Sequence, residues 1–155
     1  MISKLLVTFF GIGHIQFAPG TIASLVSIVL LTTLKHYTSI YLFSLIFIIL
    51  LALSYFVIKK YIKNLDIKDA QEIVLDEVLG IYLILIFFKI DYDKIFFDLI
   101  IIIALFRFFD ILKIFPANLI DKKFKNSFGI IFDDLISSIY TLIVLLIINL
   151  GKNLL

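Results

Sequence analysis

The sequence predicts an all-α fold: an integral membrane bundle of about five hydrophobic helices with a short helix at the N-terminus, forming a single domain over residues 1–155. Three observations predict it. Hydrophobic residues make up 63% of the chain and charged residues 17%, with a mean hydropathy of +1.17, whereas a soluble domain averages about 45–50% apolar and roughly 25% charged. The apolar residues gather into runs at 17–34, 37–58, 73–88, 95–109 and 130–150. The only prolines, Pro19 and Pro116, stand at the entrance of the first run and just past the fourth, where a helix begins or stops.

Taken in order, Lys4 and the apolar stretch 5–12 look like a weak signal peptide. The residues after it, from His14 to Pro19, offer no small-x-small cleavage site, so the segment is expected to remain as the short first helix. A hydrocarbon core needs about 20 apolar residues per helix. The second and fifth runs meet that length. The first, third and fourth are short or carry charges, which suits helices that are partly buried and reach the interface, or that pack as a compact helical domain with few true spans.

Lysines orient the runs. Lys59, Lys60, Lys63 and Lys68 follow the second run, and Lys113, Lys122, Lys123 and Lys125 follow the fourth; the other loops hold only Lys35, Lys89 and Lys94, and Lys152. Short cytoplasmic loops are rich in Lys and Arg, so five alternating spans put the N-terminus inside and the C-terminus outside. Four segments then meet at the cytoplasmic interface: the starts of the first, third and fifth runs and the end of the fourth. They contain nearly all the polar residues that an apolar helix does not tolerate.

Composition excludes several chemistries. Without cysteine there is no disulfide, thiol nucleophile or thiolate metal site. A net charge of +2 with no basic, aromatic-interleaved stripe gives no reason to expect a nucleic-acid partner.

The third segment opens Asp69-Ala-Gln-Glu72 and continues to Asp76 and Glu77. Continued as one helix at 100° per residue, it would bring all four acids to one broad face. The fifth segment carries Asp133 and Asp134 inside an apolar run, where ionised carboxylates must be paired or hold a cation. Of the twelve acids in the chain, ten are Asp and two are Glu, and both Glu lie in the third-segment cluster. Clusters offering only carboxylate oxygen suit Mg²⁺, Mn²⁺ or Ca²⁺ rather than zinc.

The fourth segment ends with Arg107, Asp110 and Lys113 at successive three-residue intervals, two cations beside an acid on one side of a helix. Arginine offers phosphate a planar fork and lysine a mobile point charge. The first segment opens Pro19-Gly20-Thr21, a helix start that can turn free backbone N–H groups toward an anion. Carboxylates for a divalent cation, cations for an anionic oxygen cluster and a helix N-terminus at a lipid-water boundary are what metal-assisted hydrolysis of a phosphate monoester requires. At that depth the substrate is a phospholipid headgroup.

These segments resemble the phosphatidylglycerophosphatase A family over nearly the whole chain, in four blocks in the family's order: Gly11-x-Gly13 with Ala18-Pro19-Gly20-Thr21; Glu72-Ile-Val-x-Asp76-Glu77-x-x-Gly80; Phe106-Arg107-x-x-Asp110-x-x-Lys113-x-x-Pro116; and Gly129-Ile-x-x-Asp133-Asp134. The resemblance implies a Mg²⁺-dependent phosphatase of phospholipid biosynthesis that converts phosphatidylglycerophosphate to phosphatidylglycerol. It also implies a multi-pass protein of the bacterial inner membrane, with its site facing the cytoplasm. Metal ligands and catalytic acids would come from Asp69, Glu72, Asp76, Glu77, Asp133 and Asp134, with Arg107, Asp110 and Lys113 beside the phosphate. Lys113 would take part in catalysis, and Gly20 and Thr21 would help bind substrate. Two departures stand out. Ile114 follows the lysine where the family usually has proline, and Asn126-Ser127 replace a usual glycine pair, which alters the loop near the metal more than the ligands.

Other readings of the same residues remain open from sequence. Acids at helix starts also serve the macrodipole, which accounts for Asp69 and Glu72 better than for Asp133 and Asp134. Arg107 and Lys113 also fit as snorkelling anchors. Asp110 either orients Arg107 or ligates metal, and water or an Asp is the nucleophile. His14 reads as structural, and His36 lies in a loop expected outside. The alternative function is a small divalent-cation transporter or channel. Such a protein calls for acids at successive depths, whereas these gather at one face beside two cations.

Overall fold

In a computed structural model of the protein, which describes residues 2–63 and 71–152, seven α-helices and no strand occur among the described residues. They are α1 (Ile2–Val7), α2 (Pro19–Tyr37), α3 (Ile40–Lys63), α4 (Leu75–Phe87), α5 (Ile95–Leu112), α6 (Ala117–Lys123) and α7 (Ser127–Lys152), with short 3-10 turns at Ile12–His14 and Tyr92–Lys94. The five expected hydrophobic helices are α2, α3, α4, α5 and α7, and α1 is the short N-terminal one. α6 has no counterpart among the expected helices.

Three helices are long and apolar enough to cross a membrane: Pro19–Tyr37, Ile40–Lys63 and Ser127–Leu150. α4 has only 13 residues, about 20 Å at 1.5 Å per residue, short of the ~30 Å hydrocarbon core. α5 is interrupted by Asp98, Arg107 and Asp110. The outward side chains of α3, such as Ile48 at 61% and Phe56 at 64% exposure, form a surface that lipid rather than water solvates.

α4 is the hub, packed against α2, α3, α5 and α7. Val78 to Tyr82, Ile84 and Leu85 are all buried. Such a helix is apolar all round because neighbours cover every side. Tyr82 donates its hydroxyl to the Phe43 carbonyl at 2.9 Å, so its polar tip is satisfied inside the core. α7 meets α4 at Ser138; Ser137, Ser138 and Thr141 are buried, and their hydroxyls donate to carbonyls four residues back, and small residues let helices in a bilayer approach closely.

Gly80 marks a close approach of α4 to α5 and α7. A Cβ there would lie 2.7 Å from the Phe106 ring and 2.9 Å from Ser138 Oγ. Phe106 is fully buried, so its ring has to shift within the core, and Gly80→Ala is expected to destabilise the bundle by about 1–3 kcal/mol, seen as a lowered unfolding midpoint in detergent.

The helix ends are set locally. Ala18 takes a left-handed conformation (φ 45°) and Pro19 occupies the first turn of α2, where a missing N–H costs nothing. α5 stops at Lys113, also left-handed (φ 44°), whose N–H caps the Phe109 carbonyl. At the far end of α4, Lys35 of α2 donates its ammonium to the carbonyls of Leu85 and Phe88, the latter at 2.9 Å. α4 thus carries Asp76 and Glu77 in its first turn and a cation on its last carbonyls, both favourable to its dipole.

Candidate active site

Four helix ends bring the polar residues to one end of the bundle: the starts of α2, α4 and α7 and the end of α5, joined by α6. Between them lies a cleft of about 430 Å³ whose wall includes Gly20, Asp76, Glu77, Arg107, Lys113 and Asp133.

Two groups of charges lie in its wall or directly behind it. Asp76, Glu77 and Asp134 each present a carboxylate oxygen, and these oxygens all lie within 4.8 Å of one another. Asp134 is 4% exposed, and its Oδ2 and Glu77 Oε2 are buried without a hydrogen-bond partner. Three carboxylates this close repel strongly in a water-poor site, and orphaned oxygens add a desolvation cost. The donor set is oxygen only, so a hard divalent cation such as Mg²⁺ fits it.

The second group is cationic. Arg107 Nη1 lies 2.7 Å from Asp110 Oδ2 and 3.7 Å from Glu77 Oε1, while its Nε is buried without a hydrogen-bond partner. Lys113 Nζ reaches Asp133 Oδ2 at 2.7 Å and Asp121 Oδ1 at 2.8 Å. Burial opposes its charge, but hydrogen bonds to the two carboxylates outweigh burial and hold its pKa above the ordinary lysine value. It therefore stays an ammonium throughout the physiological range.

Of the residues singled out from sequence, Asp76, Glu77, Arg107, Asp110, Lys113, Asp133 and Asp134 come together here. Gly20 forms part of the cleft wall; Thr21, one residue further along α2, does not. Asp110 faces Arg107, and Asp133 faces Lys113, so neither belongs to the three-carboxylate group. Asp69 lies outside the described residues.

The shared helical face of the third-segment acids is corrected. α4 begins at Leu75, so Glu72 precedes it and the 100° rule does not apply there. Glu72 instead accepts a hydrogen bond from the Tyr61 hydroxyl and pairs with His14 Nδ1 at 3.1 Å and Lys4 Nζ at 3.8 Å. The neighbouring strand-like link, Val74 N–H to the Val7 carbonyl at 3.0 Å, ties this segment to α1. Asp121, on α6, carries no signal in the sequence: it sits beside Lys122 and Lys123, where a solvated acid is ordinary.

A model of the phosphatidylglycerophosphatase A family matches residues 5–149. The chain belongs to the phosphatidylglycerophosphatase A family. A family member from Haemophilus influenzae named phosphatidylglycerophosphatase A is 34% identical over 146 residues, covering 94% of this chain and 87% of that protein. A protein of Bacteroides thetaiotaomicron with the provisional name phosphatidylinositol-3-phosphatase is 27% identical over 144 residues, covering 91% and 89% of the two chains. No solved structure matches. The four blocks that carry the phosphatidylglycerophosphatase A resemblance supply every side chain named in the cleft wall above, and Asp121 lies between the last two blocks.

Proposed function

We propose that the protein is a Mg²⁺-dependent lipid phosphatase that hydrolyses the terminal phosphate monoester of phosphatidylglycerophosphate to phosphatidylglycerol, in phospholipid biosynthesis, from the cytoplasmic face of the bacterial inner membrane. The observation that carries it is the meeting of Asp76 and Glu77 with Arg107 and Lys113 in one cleft at the end of an apolar bundle, with the buried Asp134 carboxylate grouped with the two acids behind the cleft wall. The two relatives are named for different lipids, but both names describe removal of a phosphate monoester from a phospholipid headgroup.

Mg²⁺ on Asp76, Glu77 and Asp134 would supply Lewis acidity toward a phosphoryl oxygen. Arg107 has an unpartnered Nε for a second oxygen, and Asp110 fixes the plane of its guanidinium. Lys113, kept charged by Asp121 and Asp133, reaches a third and offsets charge that develops on the phosphoryl group. Overall, a water oxygen forms a bond to phosphorus, the ester P–O bond breaks, and the departing glycerol oxygen leaves as a hydroxyl. Lysine-rich loops beside this end of the bundle favour the cytoplasmic side.

The test is phosphate release from phosphatidylglycerophosphate by the detergent-purified protein, run in parallel with Mg²⁺ and with excess EDTA. Release is expected with Mg²⁺ and a fall to background with EDTA, restored by excess Mg²⁺. Equal rates in the two arms would remove the metal from the reading. Release from phosphatidylinositol 3-phosphate alone would move the substrate to the other lipid.

A further inference from the structure

A second surface, whose lining shares no residue with the cleft, combines a cationic pocket with an apolar trough. The pocket, about 400 Å³, has Lys59 and Lys63 of α3 and Lys125 before α7 in its wall. The trough, about 380 Å³, runs between α3 and α7 past Ile48, Phe56 and Phe132. The two adjoin at Tyr55, which lines both. All three lysines are exposed, and none is ion-paired with an acid among the described residues.

We propose that this surface is a binding site for one anionic phospholipid of the surrounding membrane, distinct from the catalytic cleft, with the headgroup on the three lysines and an acyl chain in the trough. Charge selects the headgroup: lysines with no acid partner among the described residues, Lys59 lying over the Tyr55 ring at 5.8 Å, form a cationic pocket between membrane helices, and such pockets attract anionic lipid. Length selects lipid over a free anion. From Tyr55 to Ile48 is seven helical residues, about 10 Å, so the trough stays within one leaflet of a ~30 Å core. A soluble phosphate would use the lysines and leave the apolar trough empty.

The chain has no tryptophan, so a single one reports its own surroundings. Phe56→Trp puts the reporter in the trough, and Ile100→Trp puts it on exposed α5 as a control, since both native residues are well exposed (64% and 66%). Each variant is placed in phosphatidylcholine vesicles, and quenching by dibrominated phosphatidylserine is compared with quenching by dibrominated phosphatidylcholine. Phosphatidylserine is anionic but is neither substrate nor product of the proposed reaction. Phe56→Trp is expected to favour the anionic lipid about fivefold or more, what one membrane-facing cation contributes, with no preference at Ile100→Trp. Adding Lys59→Gln, Lys63→Gln and Lys125→Gln is expected to bring the Phe56→Trp ratio near one. An equal preference at both reporters, or a preference that survives the three lysine changes, would overturn the site. So would the absence of quenching at Phe56→Trp together with concentration-dependent dimerisation, since a second copy would then cover the trough. The comparison between reporters needs no lysine change and no catalytic activity.

Discussion

Asp134→Asn is expected to lower phosphate release about 10³-fold while the bundle stays folded. The amide keeps the shape of the carboxylate and removes its charge at the point where three carboxylate oxygens converge within 4.8 Å. Asp134 is buried, and its Oδ2 lacks a hydrogen-bond partner, so its place in the fold rests on little that an amide would lose. In EDTA the variant is expected to unfold at the same temperature as the parent or higher, because one of three mutually repelling groups is gone. Mg²⁺ is expected to raise the parent's midpoint, by an amount that grows with free metal, and to leave the variant's nearly unchanged. Thermal unfolding in detergent with and without Mg²⁺, beside the activity assay, reads all of these. Full activity, or a collapse of the apo midpoint, would show that Asp134 is not the ligand argued for.

Gly20→Ala is expected to cost about 10²-fold in activity with little change in stability. An added Cβ would lie 2.0 Å from Glu77 Oε1 and 3.0 Å from Arg107 Nη1, so one or both must move. They are the far ends of flexible side chains, which is why the fold tolerates the change. They are also the carboxylate and guanidinium of the cleft, where a displacement of about 1 Å removes most of the benefit of positioning. Gly20 thus acts by close approach: no other residue lets the start of α2 lie against the Glu77–Arg107 pair. Near-parental activity in the alanine variant would mean that neither group needs its observed position.

The helices and the identity of most charges in the cleft were legible in the sequence, because charge inside an apolar run has few physical explanations. Arg107, Asp110 and Lys113 follow helical spacing, and in the structure they run along one end of α5. The division of labour was not legible. Asp133 and Asp134 are adjacent, so they point about 100° apart on α7; one meets Lys113 and the other meets Asp76 and Glu77. Which does which depends on where α4 and α5 pack, and no local pattern encodes that. Glu72 departs from the expected helical face for a related reason. Its spacing fits a helix, but a hydrogen bond between Val74 and Val7, residues 67 positions apart, holds the chain out of helix until Leu75. Asp121 was hidden because its role comes from α6, a seven-residue helix too short to declare itself by periodicity.

The grip of Lys35 on the last carbonyls of α4 bears on how the protein meets membranes of different thickness. A 13-residue helix cannot find its own depth by matching a hydrocarbon slab, and left to itself it would drift or tilt to hide its ends. Tied at its tail to α2, which is long enough to cross, α4 hangs at a level fixed by another helix, like a weight on a cord of set length. The level of the acids in its first turn is therefore set by the tie to α2 and by the packing of α4 among its neighbours rather than by the length of α4 itself.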